Sequence, residues 1–315
     1  MVDDAFEEAL LGAARHYDRD EVARQVGVGI EDASAVWAAL GFAEVPTGVR
    51  AFTDLDVAAL RTALELGASG VIEPDTLLVL ARAMGQGLAR LAEAQVEVFR
   101  GQATGMSAPQ VRDAATQAAV DVLPRLETLV VHVWRRHFAA AMQRSMVALM
   151  TDGHPVLAVG FVDLVGFTQT SRDSDHAELH HLLERFEHQT ALRVTAHGGR
   201  VVKTLGDGVL FVTDSVRGAA EVALDTAAAH EGDESLPEIR AGIALGPVLS
   251  RLGDVFGEAV NLASRLTDEA RPSTVLLDRA AAQALEGDPS YRLLGLKHRS
   301  VRGYRALRPH VLRRA

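Results

Sequence analysis

Hydrophobic positions along the chain follow two different rhythms, and the change between them falls near residue 150. Before it, apolar residues recur at helical spacing. Met84, Leu88, Ala92, Val96 and Phe99 share one helical side, and Leu126, Leu129, Val130, Val133 and His137 share another. Residues 20–26 and 30–40 predict two short helices around Gly27-Val28-Gly29, a helix-turn-helix pattern. Thr53-Asp54-Leu55-Asp56 reads as an N-cap followed by an acidic first turn. Residues 101–109 predict a loop, and a long helical pattern over 108–150 is broken near Pro124. Thr151-Asp152-Gly153-His154-Pro155 is a short turn-rich linker.

From Val156 onward strands and helices alternate. Strands are predicted over 156–165, in a hairpin over 201–213, over 238–246 and 248–252, and over 274–277. Helices are predicted over 177–197, with Leu179, Leu182, Leu183 and Phe186 on one face, and over 216–229 and 258–268. Segments 291–294 and 304–307 close the domain. The expectation is an all-helical domain, 1–150, followed by an α/β sandwich with a ferredoxin-like core, 151–315.

Three stretches interrupt this patterning with chemistry. The run 156–165 is apolar except for Asp163, and a carboxylate buried alone costs several kcal/mol unless it is paired or binds a metal. Asp207 sits at the tip of the second hairpin, in Gly206-Asp207-Gly208; taken alone, it is a turn residue. Two carboxylates brought together repel, and a divalent cation resolves the repulsion. The third stretch, GDVFGEAVNLASR over 253–265, reads as a glycine-rich loop entering a helix, with Asn261 and Arg265 on one face. Alone, that pair reads as solvated surface.

Charge and composition narrow the classes. The chain has no cysteine, which removes disulfides and thiolate metal sites. Formal net charge is −10, and residues 1–65 hold thirteen acidic against five basic side chains. Phosphate backbones demand a basic face, so the helix-turn-helix pattern is not expected to bind nucleic acid. The best apolar stretch, 126–150, carries Glu127, Arg135, Arg136 and Arg144, so no membrane span is expected. The opening Met-Val-Asp-Asp-Ala-Phe-Glu-Glu lacks the regions of a signal peptide, and a cytoplasmic location is expected.

Together FVDLVGFT, KTLGDG and GDVFGEAVNLASR resemble the catalytic domain of class III nucleotidyl cyclases. The N-terminal half resembles the regulatory domain of soluble actinobacterial adenylyl cyclases whose activity responds to pH. The resemblance implies conversion of ATP to cyclic AMP and pyrophosphate. It implies Asp163 and Asp207, with the Leu164 carbonyl, as ligands of two Mg²⁺ or Mn²⁺ ions. Backbone amides of Val165, Gly166, Phe167 and Thr168 would cradle phosphate. Lys203 and Asp254 match the purine-selecting pair, a combination that favours adenine. Asn261 would orient the ribose, and Arg265 would quench charge at phosphorus. Lys297 matches a triphosphate-binding lysine, although its surroundings depart from the family's glycine-rich pattern. In this family the metal pair comes from one subunit and the purine pair, Asn and Arg from the other, which implies a head-to-tail homodimer. Histidines at 132, 137, 176, 180, 181 and 188 make pH-dependent activity an expectation. A guanylyl or broad-specificity cyclase, a silent nucleotide-binding sensor, and a transcriptional regulator are the competing classes.

Overall fold

The computed structural model describes residues 4–70, 72–150, 155–167, 175–233, 235–297, 299–301 and 304–315. The linker 151–154 and Thr168 lie outside the described residues. The chain divides into two compact units, Met1–Met142 and Gln143–Ala315. The division falls inside a long helix rather than at the linker.

The first unit is helical: α1 (Asp4–Leu11), α2 (Arg19–Val26), α3 (Ile30–Leu40), α4 (Asp54–Ala68), α5 (Pro74–Gln102) and α6 (Ala108–Asp121), with α7 (Leu123–Met150) leaving it. Its helix ends are written locally. Asp18 and Glu21 form a capping box at α2, and Gly27 closes that helix in the left-handed region at φ 83°. Thr53 and Asp56 cap α4 in the same way, as the sequence predicts. Val22, Ala33, Val36, Phe52, Val57 and Leu60 form the core, where the Trp37 and Phe52 rings stack with centroids 4.7 Å apart. The break near Pro124 is present: α6 stops at Asp121 and α7 restarts at Leu123. Met84, Leu88 and Val96 of the predicted α5 stripe are exposed, so this stripe does not build the unit's core. Among the described residues, no helix is long and apolar enough to cross a membrane.

The second unit is built on a seven-stranded sheet of order β2-β3-β1-β4-β7-β11-β8. Its first part is β1 (Val156–Leu164), α8 (His176–Ala196), β2 (Gly199–Thr204), β3 (Gly208–Thr213), α9 (Val216–Glu231) and β4 (Ile239–Pro247). These four strands lie antiparallel in the order β4-β1-β3-β2, which is the expected ferredoxin-like arrangement. After β4 come β5 (Leu249–Arg251), β6 (Asp254–Phe256), α10 (Glu258–Glu269), β7 (Thr274–Leu277), α11 (Arg279–Ala284) and β8 (Tyr291–Gly295). The chain closes with β9 (Arg299–Val301), β10 (Tyr304–Leu307) and β11 (His310–Arg314).

The alternation of β1 sorts its side chains. Ala158, Val162 and Leu164 join the core under α8 and α9, while Val159 and Phe161 join the cluster containing Ala259 and Ala263 of α10. Asp163 therefore shares the α10 face.

Two predicted elements differ. Segment 248–252 does not pair with β4; β5 pairs with β6 in a separate hairpin, Leu249 opposite Phe256. Pro247 ends β4 because it has no N–H to continue a ladder. Segment 304–307 pairs with β9, and β11 takes the place between β7 and β8 that closes the sheet. β11 offers only Val311 and Leu312 between charged neighbours, too short an apolar run to register as a strand.

One buried titratable group makes this unit sensitive to acid. His230, at the end of α9, is 3% exposed. Its Nδ1 lies 2.6 Å from the Pro237 carbonyl and donates to it, while Nε2 is buried without a partner. Burial depresses its pKa below the ordinary 6.5, with Arg193 and Arg185 adding to that and the Pro237 carbonyl and Asp233 opposing it. The unfolded chain therefore takes up this proton at a higher pH than the folded one. Stability from neutral His230 should be present above about 6.5 and lost as pH falls toward the depressed value. The expected result is a thermal midpoint that declines on acidification, with a shallower decline in His230→Asn; equal slopes in both proteins would contradict it.

Candidate functional site

Sheet pairing brings the two acidic positions together. Asp163 is the last-but-one residue of β1 and faces Gly208 across the β1–β3 ladder. Asp207 precedes Gly208 in the β2–β3 turn, which closes with Leu205 N–H donating to the Gly208 carbonyl at 2.7 Å. The Leu164 N–H donates to the Asp207 carbonyl at 3.0 Å, tying the end of β1 to the hairpin tip. A Cβ on Gly208 would lie 3.3 Å from Asp163 Oδ1, so the glycine keeps that oxygen open toward the turn. Burial raises the Asp163 pKa; Asp207 and Asp268 raise it further, and Arg240 opposes them.

Arg240 is the partner of Asp163 that sequence reasoning missed. It stands directly opposite Asp163 in the β1–β4 register. Its Nε and Nη2 donate to Asp163 Oδ2 at 2.8 and 2.6 Å, and its Nη1 donates to the Asp268 carbonyl at 3.3 Å. The signal was available, because Arg240 is the lone charge between Ile239 and Ile243 in a strand whose flanks are buried. A buried carboxylate needs a partner, and the strand beside it supplied one.

Lys203 and Asp254 also meet. Lys203 lies on edge strand β2 and Asp254 begins β6, and Nζ donates to Oδ2 at 2.5 Å. The backbone N–H of Val255 donates to the other Asp254 oxygen at 2.8 Å. Burial works against the Asp254 charge, but Lys203, the Val255 N–H and Arg200 outweigh it and hold its pKa below the ordinary carboxylate value. A positive donor and a negative acceptor thus sit side by side, both partly exposed to solvent.

Asn261 and Arg265 are carried by α10. Asn261 is exposed, and the Arg265 Nη1 lies 3.3 Å from Asp268 Oδ2 one turn on. The helix is held hard against the sheet: a Cβ on Gly242 of β4 would come within 2.4 Å of the Ala263 carbonyl oxygen and 2.5 Å of the Thr267 nitrogen. Only glycine admits so close a helix backbone.

The remaining predicted positions are distributed less tightly. Val165 donates its N–H to the Glu238 carbonyl at 2.8 Å, so that amide is committed to the protein and is not offered to a ligand. Gly166, at φ 74°, turns the chain toward Phe167. Lys297 is exposed after β8, at the sheet edge opposite β2, with β4, β7 and β11 between it and β1. The structure does not bring Lys297 to the acidic pair within this chain.

Among the described residues no three His, Asp or Glu side chains form a ready metal cage. The donor set at the end of β1 is instead two carboxylates and main-chain oxygen. That is the sparse hard-oxygen set of an ion whose other ligands are water and substrate phosphates.

Residues 150–314 match the family model described as the adenylate and guanylate cyclase catalytic domain. An adenylate cyclase of Streptomyces coelicolor is 44% identical over 89% of this chain and 74% of its own length. An adenylate cyclase of Glutamicibacter nicotianae is 33% identical over 98% of this chain and 81% of its own. A pH-sensitive adenylate cyclase of Mycobacterium tuberculosis is 31% identical over 89% of this chain and 75% of its own. The chain belongs to the class III nucleotidyl cyclase family. The match to the Glutamicibacter nicotianae relative covers 98% of the chain, so the likeness is not confined to the catalytic unit.

The close seating of α10 gives a test of the platform. Gly242→Ala should push the helix off β4, cost about 1–3 kcal/mol of stability and reduce cyclase turnover. Unchanged melting and turnover would show that α10 adapts freely.

Proposed function

We propose that this protein is an adenylate cyclase acting as a homodimer, making 3′,5′-cyclic AMP and pyrophosphate from ATP. The observation that carries the reading is the Lys203–Asp254 pair beside an edge strand whose hairpin also bears Asp207. Lysine can donate to adenine N1 and aspartate can accept from the 6-amino group. Guanine presents a donor at N1 and an acceptor at O6, which would leave both protein groups mismatched, and a site built to hydrogen-bond one base edge disfavours the other. Three relatives matched over most of this chain are adenylate cyclases by name, which supports the same choice.

In this reading the 3′-oxygen of ATP attacks the α-phosphorus in line. The new bond is 3′-O–P, the bond broken joins the α-phosphorus to the bridging oxygen, and pyrophosphate leaves with that electron pair while the hydroxyl proton passes to solvent. Asp163, Asp207 and the Leu164 carbonyl would hold two Mg²⁺ or Mn²⁺ ions, which lower the pKa of the hydroxyl and neutralise phosphate charge when bound. The turn at Gly166 and Phe167 would follow the phosphates, with Thr168, outside the described residues, expected to join them. Arg265 would stabilise charge at the phosphorus, and its planar fork suits that task better than an ammonium group would. Asn261 would hold the ribose, and Lys297 would reach the triphosphate from the far edge of a second copy.

The chain holds one domain of this kind, and family likeness divides the groups between two copies. A head-to-tail pair then makes two equivalent sites, each completed by the sister chain. The helical N-terminal unit is the regulatory part in this reading, with pH as its signal. The name of the M. tuberculosis relative supports this reading, as do the histidines along α7 and α8.

The decisive measurement is cyclic AMP formation from ATP with Mn²⁺. Asp163→Ala and Arg265→Ala should each lose more than about 100-fold in turnover, in line with removal of a transition-state charge stabiliser. A mixture of the two should recover a fraction of wild-type activity, because one hybrid site is intact. No recovery on mixing would place each site within a single chain. Retained activity in both single variants would exclude these residues from the reaction, and GTP turnover equal to ATP turnover would favour a broad-specificity cyclase.

A further inference from the structure

The last strands carry a charge balance unlike the rest of the chain. Residues 289–315 hold eight of its 32 Lys and Arg side chains and none of its 42 Asp and Glu. Strand alternation sorts part of this charge. Tyr291 and Leu293 of β8 and Leu312 of β11 pack into the core under α8 and α9. Arg292 and Leu294 therefore turn to the other face of β8, and Arg313 does so on β11, beside Val311, which packs with Leu266 of α10. Register sets Arg313 directly opposite Arg292, and Val311 opposite Leu294. β8 is the outer strand, so this face ends at an open sheet edge. Arg292 and Arg313 are exposed, and neither has an acidic partner among the described residues. The next residue, Arg314, is turned the other way and held by Glu221 at 2.8 Å and Asp225 at 2.5 Å. Like charges directly opposite each other weaken a strand pair. Charge is a common guard of an open edge, but guarding does not explain Leu294, which is 62% exposed on the same face as the arginines. An uncovered leucine invites association at an edge rather than blocking it.

We propose that the β8–β11 edge is a docking surface for a bilayer of anionic phospholipid. Lipid phosphates fall between the Arg292 and Arg313 guanidinium groups and relieve their repulsion, a task that suits the planar fork. Leu294 enters the boundary between headgroups and acyl chains. A bilayer accounts for both the charges and the leucine, whereas a nucleic acid accounts for the charges alone. Attachment of this kind is peripheral and reversible, in keeping with a chain in which no described helix can cross a membrane. The net charge of −10 repels an anionic surface from the rest of the molecule and so favours approach by this edge. Arg292, Leu294 and Arg313 take no part in the proposed nucleotide site, so the surface stands apart from that reading.

The experiment is co-sedimentation of the full chain with vesicles of phosphatidylcholine alone and of phosphatidylcholine mixed with phosphatidylglycerol, with circular dichroism to verify folding. Wild type should partition onto the mixed vesicles and not onto the neutral ones, and high salt should release it. The double variant Arg292→Gln, Arg313→Gln should lower the partition coefficient about 20- to 30-fold, on the order of fivefold for each basic side chain near an anionic surface. Leu294→Ser should lower it about tenfold and leave the salt dependence in place. The double variant Arg292→Lys, Arg313→Lys keeps both charges and should stay within about threefold of wild type. Failure of wild type to bind the mixed vesicles, or equal binding by wild type and the glutamine variant, would overturn the proposal. So would a Leu294→Ser variant that binds as wild type does while double-stranded DNA displaces the vesicles, because the edge would then recognise nucleic acid. If the glutamine variant does not fold, loss of vesicle binding by the folded lysine variant would overturn the proposal in its place.

Discussion

Much of the catalytic unit is arranged around the cost of placing a carboxylate near the end of its central strand. Asp163 is partly shielded from water, and Asp207 and Asp268 add repulsion to the desolvation. Left unpaired, such a group would weaken β1, the strand that pairs with both β3 and β4. The fold answers with Arg240 on the neighbouring strand, whose remaining arm reaches the carbonyl at the end of α10. One guanidinium therefore links the strand bearing the acid, the strand beside it, and the helix that carries Asn261 and Arg265. Because the three elements share this side chain, the acidic site and the α10 face hold a fixed relation.

The same economy recurs across the candidate site. Lys203 is neutralised by Asp254, Asp163 by Arg240, and Arg265 has Asp268 one turn away. In the proposed reading, nucleotide and metal enter by exchanging partners rather than by filling a bare charged cavity. The exchange matters energetically. A surface pair such as Arg265–Asp268 is worth roughly 0–1 kcal/mol and yields easily to a phosphate. A more enclosed pair such as Asp163–Arg240 yields less readily, because removing either partner strands the other. In that reading the weakly held Arg265 would be the arginine most easily freed to meet a phosphate.

The sequence disclosed most of the catalytic architecture because the strands there obey a two-residue rhythm and the helices a 3.6-residue one. β1, the β2–β3 hairpin, α9 and α10 all lie where the pattern puts them. The expectation that Asp163 needs a compensating partner is met in the structure by Arg240, which the sequence reading did not name. Burial demanded compensation, but register across β4 is a long-range fact that no local window contains, so Arg240 went unnoticed. The β5–β6 hairpin was hidden for a related reason. Its turn uses Leu252 at φ 52° beside Gly253 at φ 82°, and a leucine in the left-handed region gives no turn signal. β11 was missed because its burial comes from β7 and β8 on either side and not from its own composition.

Close packing explains why α10 can serve both as wall and as carrier of side chains. Ala259 and Ala263 bury its inner face, and Gly242 lets its backbone touch the sheet. A helix seated by backbone contact has little freedom to slide, since any lateral shift drives Ala263 or Thr267 into β4. Asn261 and Arg265 then project from a rigid base, and the long Arg265 side chain supplies adjustable reach. Rigidity below and flexibility above suit the surface that, in the proposed dimer, would meet a second copy of the chain. In the proposed head-to-tail dimer the sister site would fix where the guanidinium has to arrive, and a base that moved with each encounter would lose the alignment that in-line transfer at phosphorus requires.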